Sequence, residues 1–250
     1  MSLKSPHAGL LRGIAFLSFF DRFAASPMLV LMSVQEGTSV AAIASMIAAY
    51  GIAYGLGQPI WGILGERQGR RRALLVALAG TALTALATVL APTLPLIFAA
   101  RTAMGLCVGG LYPLLLTLIA DTTSPAERGR AISDLQASSA LGTTVATLVA
   151  GAIATATNWR IVVAFTGLAA AGLFLALFRQ GHDAAPRAGT GGIRTSFRVA
   201  LAPWPLALYG LGFVEGGLLL GTPPTSHPPS KPLASPLSSP AVSPPATASR

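Results

Sequence analysis

The chain has 250 residues, 52% of them hydrophobic and only 10% charged, whereas a soluble domain carries about 25% charge. Its mean hydropathy of +0.65 and its apolar runs, each near the ~20 residues that cross a bilayer, exclude an ordinary soluble domain and point to an integral membrane protein. Seventeen Lys and Arg against eight Asp and Glu give a net charge of +9, but the bases sit between the apolar runs, so the partner is a lipid bilayer and not nucleic acid.

Taken in chain order, the first apolar run follows Lys4 and Arg12 and is interrupted by Asp21 and Arg22. It has no small-residue cleavage site ahead of a polar segment, so no cleavable leader is expected. Membrane spans are expected near residues 10–32, 41–62, 73–92, 95–119, 131–156, 161–178 and 201–221. Their abundant Gly and Ala suit close helix packing in lipid, where small side chains let backbones approach. The fold class is therefore all-α and membrane-spanning. Residues 1–178 form a six-helix bundle, 179–200 a basic cytoplasmic loop, 201–221 a seventh helix, and 222–250 a Pro/Ser-rich tail.

Short basic loops stay on the cytoplasmic side, and here they fix the orientation. With the N-terminus inside, twelve Lys and Arg fall on cytoplasmic segments, while Arg160 is the only one on an outer loop. The expected location is the cell's inner (plasma) membrane. Cys107 is the single cysteine and lies in an apolar run, where it reads as a packing residue. His7, His182 and His227 all lie outside the spans, so no metal site or cofactor is expected at membrane depth.

The stretch "GILGERQGRRR", Gly62 to Arg72, holds five of the 25 charged residues and reads as a cytoplasmic hairpin between spans 2 and 3. Its glycines would permit a sharp reversal with positive φ, and Glu66 with the arginines could form a network with neighbouring helix ends. Gly62, Leu64, Glu66, Arg67, Gly69, Arg70 and Arg71 resemble the loop 2–3 signature G-x-L-x-D-R-x-G-R-R of the major facilitator superfamily, with Glu in place of the usual Asp. Further segments follow in the family's order. "RTAMGLCVGG" resembles its span 4 segment through Arg101 and Gly105, and "DTTSPAERGRA" the following loop through Asp121, Pro125, Arg128 and Arg130. "NWRIVVAF" is similar to the Trp-Arg opening of span 6. In span 5, Gly142, Ala146, Thr147, Ala150 and Gly151 fall on the antiporter pattern G-x-x-x-G-P-x-x-G-G, small residues kept and the proline missing. The resemblance implies a transporter built from two six-helix halves that rock about a central site. This chain would supply the first half and one helix of the second.

Asp21, Arg22, Arg101 and Glu215 are the ionisable residues within spans. Each costs about 2.5–3.5 kcal/mol near a helix centre, so each is expected to pair or to face a wet cavity. Adjacent helix positions do not face each other, so Asp21 needs a partner other than Arg22, and Arg101 is the candidate. The resemblance implies that an acid in span 1 and this arginine take part in proton coupling; a structural ion pair between spans 1 and 4 is the alternative. Tyr50, Tyr54, Gln58 and Tyr112 are further polar candidates. Glu66, Arg67 and Asp121 could bias the inward or outward state, or serve as an anchor.

After Gly221 the composition changes: nine prolines in 29 residues, with no run long enough to span. Such a segment cannot bury enough surface to fold, and its codons are compatible with a shifted reading frame. A retinal-type protein is excluded because Lys4 and Lys231, the only lysines, lie outside the spans. An intramembrane enzyme lacks a histidine or paired acids at depth. The expectation is a secondary transporter for small organic molecules, apparently truncated, using protons and working as an efflux antiporter. The alternative is an inactive or regulatory half, or one that acts with a separate C-terminal half.

Overall fold

The computed structural model describes residues 8–181, and every regular element among them is helical. Six helices are long and apolar enough to cross a membrane. The first span is α1, Ala8–Gln35; the second is α2, Val40–Gln68; the third is α3, Arg70–Leu90. The fourth comprises α4, Leu94–Val108, and α5, Leu111–Thr122, separated at Gly109 and Gly110. The fifth comprises α6, Pro125–Val145, a π turn at Ala146–Ala150, and α7, Gly151–Ala156. The sixth is α8, Trp159–Arg179. The expected span at 201–221 and the tail at 222–250 lie outside the described residues, as does most of the expected loop 179–200.

Local chemistry places the helix starts. Ser39 caps α2, its hydroxyl accepting from the Ala42 amide at 3.1 Å. Asn158 caps α8, its side-chain oxygen accepting from the Arg160 amide at 2.8 Å. Prolines open α4 and α6, where the missing amide hydrogen would have no partner anyway. The spans overrun the bilayer: 28 residues of α1 reach about 42 Å at 1.5 Å per residue, against a hydrocarbon core of about 30 Å. The basic and acidic clusters therefore stand at the helix ends.

The arginine-rich stretch makes the sharp reversal expected between residues 62 and 72, but over a shorter length than the expected spans 41–62 and 73–92 leave for it. Helix α2 continues through Glu66 and Arg67 to Gln68, and Arg70, Arg71 and Arg72 form the first turn of α3. Only Gly69 separates the helices, with φ 93° and ψ 141°, a conformation that residues with a Cβ rarely adopt. Gly62 is helical and makes no turn. A single glycine suffices because the reversal occurs within one residue.

Spans 1 and 5, 2 and 4, and 3 and 6 pack as pairs. The core between them includes Ile14, Leu17, Met28, Ile43, Leu78, Met104 and Trp159. Backbones come close where glycines allow it. A Cβ on Gly142 would lie 2.4 Å from the Phe16 carbonyl oxygen, and one on Gly105 would lie 2.5 Å from that of Tyr50. The outer faces of spans 3 and 6 carry Val76, Leu83, Leu86, Ile161, Leu168 and Phe178 exposed, as lipid-facing surface requires. The chain is thus an all-α, multi-pass membrane protein.

Candidate functional site

Asp21 occupies the middle of α1 and is buried. Arg101, from α4, places Nη1 3.2 Å from Asp21 Oδ1, and both side chains are almost wholly buried. The Tyr50 hydroxyl of α2 donates to Asp21 Oδ2 at 2.6 Å. Three spans therefore converge on one carboxylate, with both of its oxygens engaged. The Arg101 guanidinium also lies over the Tyr50 ring, 4.9 Å from its centroid, and Nη1 contacts Met104 Sδ at 3.3 Å. The chain thus brings together Asp21 and Arg101, which lie 80 positions apart.

The R-x-x-x-G segment has a physical basis in this geometry. Gly105 is one turn from Arg101, and its missing side chain leaves room for the Tyr50 carbonyl. Span 2 can then press against span 4 and bring the Tyr50 hydroxyl to the same carboxylate. Gly109 continues the seam: a Cβ there would lie 2.2 Å from the Tyr54 carbonyl oxygen. Further along, Trp61 Nε1 donates to the Leu106 carbonyl at 2.8 Å.

Arg22, next to Asp21, points elsewhere. It is exposed, and its guanidinium lies 4.7 Å from the Tyr54 ring centroid and 5.3 Å from that of Phe23. Gln58 and Ser26 are exposed one turn beyond Tyr54 and Arg22. Tyr112 is half-buried, edge-on to Phe19 at 5.1 Å. Glu215 lies outside the described residues.

At the arginine-rich end the hub is Arg70 and not Arg67. Arg70 Nε lies 3.4 Å from Asp121 Oδ2, Nη1 donates to the Gly62 carbonyl at 3.4 Å, and Nη2 stands 4.0 Å from Glu66 Oε1. Arg71 Nη2 donates to the Leu177 carbonyl at 2.6 Å, and Arg128 Nη2 to the Ala120 carbonyl at 2.8 Å. Cationic donors thus meet carbonyls at the C-terminal ends of spans 6 and 4, where the helix dipole is negative. Arg67 is exposed and makes no hydrogen bond or ion pair among the described residues. Arg12 pairs with Asp134, joining spans 1 and 5 at the same end.

In span 5 the proline expected from the antiporter pattern is replaced by Thr147, within the π turn at Ala146–Ala150. Gly142 packs on the Phe16 backbone, and Gly151 faces Pro27 of α1, with its ideal Cβ position 3.4 Å from the proline Cβ. The Thr147 hydroxyl donates to the Thr143 carbonyl at 2.8 Å.

A cluster at the opposite end escaped the sequence reading. Arg160 Nη2 reaches Glu36 Oε1 and Oε2 at 3.0 and 3.1 Å, while Nη1 donates to the carbonyls of Thr88, Val89 and Ala91, each at 3.0 Å. Trp159 Nε1 donates to Glu36 Oε1 at 2.9 Å, and the Trp159 amide to Gln35 Oε1 at 3.2 Å. The available signal was simple: Arg160 is the lone base on that side, and Glu36 is the acid at the end of span 1.

Comparison with known proteins agrees with this architecture. The chain is 31% identical over 150 residues to the MFS-type efflux transporter ffsH of Aspergillus flavipes, covering 58% of this chain and 26% of that protein. It is 29% identical over 155 residues to Multidrug resistance protein D of Escherichia coli K12, covering 62% of this chain and 38% of that protein. These alignments thus take in well under half of each relative's length. Among solved structures, the inward-open xylose transporter XylE from E. coli aligns with a TM-score of 0.61 at 17% identity, over 86% of this chain and 56% of that one. The peptide transporter POT aligns with a TM-score of 0.65 at 18% identity, over 86% and 45%. The Major Facilitator Superfamily profile matches residues 13–236, past the composition change after Gly221, and with six spans paired around a buried Asp–Arg–Tyr centre, the chain belongs to that superfamily.

Proposed function

We propose that the chain forms the first half of a proton-coupled secondary transporter that exports small organic molecules. The carrying observation is the buried meeting of Asp21, Arg101 and Tyr50. A carboxylate at membrane depth with all its partners in the protein is a group whose protonation must rearrange its neighbours. When Asp21 takes up a proton it loses its ionic hold on Arg101, and Tyr50 loses a charged acceptor. Spans 1, 2 and 4 are then free to shift relative to one another, the coupling a rocking carrier requires. Glu66, Arg70, Asp121 and Arg128 act at the other level, holding spans 2, 3, 4 and 5 in one state through contacts at the helix ends. Gly142 and Gly151 keep span 5 close to span 1.

The export direction is supported by the names of the relatives and by the small-residue pattern in span 5. The location, an inner (plasma) membrane with a cytoplasmic N-terminus, is supported by the twelve-to-one distribution of bases.

The test is proteoliposomes carrying the chain together with the second six-helix half of a superfamily member, with a pH-sensitive dye in the lumen. Solute-evoked proton movement is expected from that assembly and is lost in Asp21→Asn. Undiminished proton movement in that variant removes Asp21 from the mechanism.

A further inference from the structure

Arg22 sits about 20 Å from either end of α1 at 1.5 Å per residue, at the middle of the first span. It is exposed and has no carboxylate partner among the described residues. The neighbouring Asp21 is turned away, with its two oxygens held by Arg101 and Tyr50. A guanidinium at this depth cannot rest against lipid tails without a large penalty. Polar side chains stand near it: Ser26 is exposed one turn beyond Arg22, Gln58 is exposed one turn beyond Tyr54, and Tyr112 packs edge-on to Phe19, one turn before Arg22. The exposed faces of spans 3 and 6 carry aliphatic and Phe side chains instead.

We propose that Arg22 is the anion-recognising point of a solute-binding face formed by spans 1, 2 and 4, and that its solutes are organic anions with an apolar or aromatic body. The claim rests on the reading that this face lines the solute path. Two observations select the sign of charge. Asp21, Arg22 and Arg101 together leave one uncompensated positive charge at mid-depth among the described residues, where Coulomb attraction is weakly screened. In addition, two of the rings that could cradle an organic cation already carry a guanidinium: Arg101 lies 4.9 Å from the Tyr50 centroid and Arg22 4.7 Å from that of Tyr54. A cation would have to displace a guanidinium and meet a like charge. A carboxylate or sulfonate meets a planar donor fork that the Tyr54 face holds in place.

The test is equilibrium binding of radiolabelled benzoate, and separately of benzyltrimethylammonium, to the full chain in nanodiscs without a proton gradient. Binding without a gradient does not depend on Asp21 carrying protons, so this claim can fail while proton coupling stands, and the reverse. Benzoate is expected to bind at least about tenfold more tightly than the cation, roughly the contribution of one charge-assisted contact. Arg22→Gln is expected to abolish the preference and Arg22→Lys to retain part of it, with helical content unchanged by circular dichroism. Phosphatidylglycerol in the nanodisc should leave benzoate affinity unchanged. The proposal is overturned if benzoate binding is undetectable, if the cation binds more tightly, or if Arg22→Gln binds benzoate like the parent. Loss of benzoate binding in phosphatidylglycerol also overturns it, because the anion is then a lipid headgroup.

Discussion

Replacing Asp21 with asparagine isolates the charge of the central group, because the amide oxygen can still accept from Tyr50 while Arg101 loses its counter-ion. At the observed 3.2 Å between Nη1 and Oδ1, the ion pair is worth about 5 kcal/mol for an effective dielectric constant near 20. Arg101 has no second carboxylate among the described residues; the Met104 sulfur and the Tyr50 ring remain. Removing one partner from a buried pair typically costs about 3–5 kcal/mol. Asp21→Asn is therefore expected to destabilise the bundle by that amount, as is Arg101→Met. The double variant removes both charges and should lose much less than the sum of the singles. Equilibrium unfolding in mixed micelles, followed by far-UV circular dichroism, measures all four proteins of the cycle, and a coupling of at least ~2 kcal/mol is expected. If the two single effects add to the double within ~0.5 kcal/mol, the residues do not form the pair described and the derivation is wrong.

Four further outcomes are expected. Gly105→Ala places a Cβ 2.5 Å from the Tyr50 carbonyl oxygen and should lower stability by about 1–3 kcal/mol in thermal melts, and Gly69→Ala should do likewise through its φ of 93°. Gly62→Ala, with nothing within 4 Å of its Cβ, should be neutral or stabilising by up to about 1 kcal/mol. Glu36→Gln removes the ionic acceptor of Arg160 and Trp159, and should cost about 1.5–3 kcal/mol with a shift in tryptophan emission; an unchanged spectrum would contradict the clamp. On a Cys107→Ala background, Arg67→Cys should react with an impermeant thiol reagent only from the cytoplasmic face and Thr38→Cys only from the outer face, and the reverse pattern would invert the orientation.

The relation between sequence and structure differs from one part of the molecule to another. The six spans were legible because lipid leaves helices as the solution for an apolar run of this length, and each observed helix overlaps its expected range. Their ends extend further than hydropathy indicated: Glu66, Arg67, Arg70 and Arg71 are helical although polar, since long charged side chains can reach water from a helix end. Arg101 as partner of Asp21 was reachable by elimination, because few buried bases exist to neutralise a buried acid. Tyr50's bond to the same carboxylate was not legible, because it depends on how closely span 2 approaches span 4 at Gly105.

By itself, the sequence determined that the chain crosses a membrane, how many described helices do so, and where charge is concentrated, since these follow from the transfer of side chains and backbone between water and lipid. The tertiary structure decided which charges meet. Arg70 and not Arg67 became the hub, Arg160 found Glu36, and Arg22 was left beside Tyr54 with no acid among the described residues. The physical reason is range: hydropathy acts on each segment alone, whereas an ion pair or a ring contact exists only within a few ångströms. Small residues such as Gly105 and Gly142 set those few ångströms by the distance at which two backbones stop.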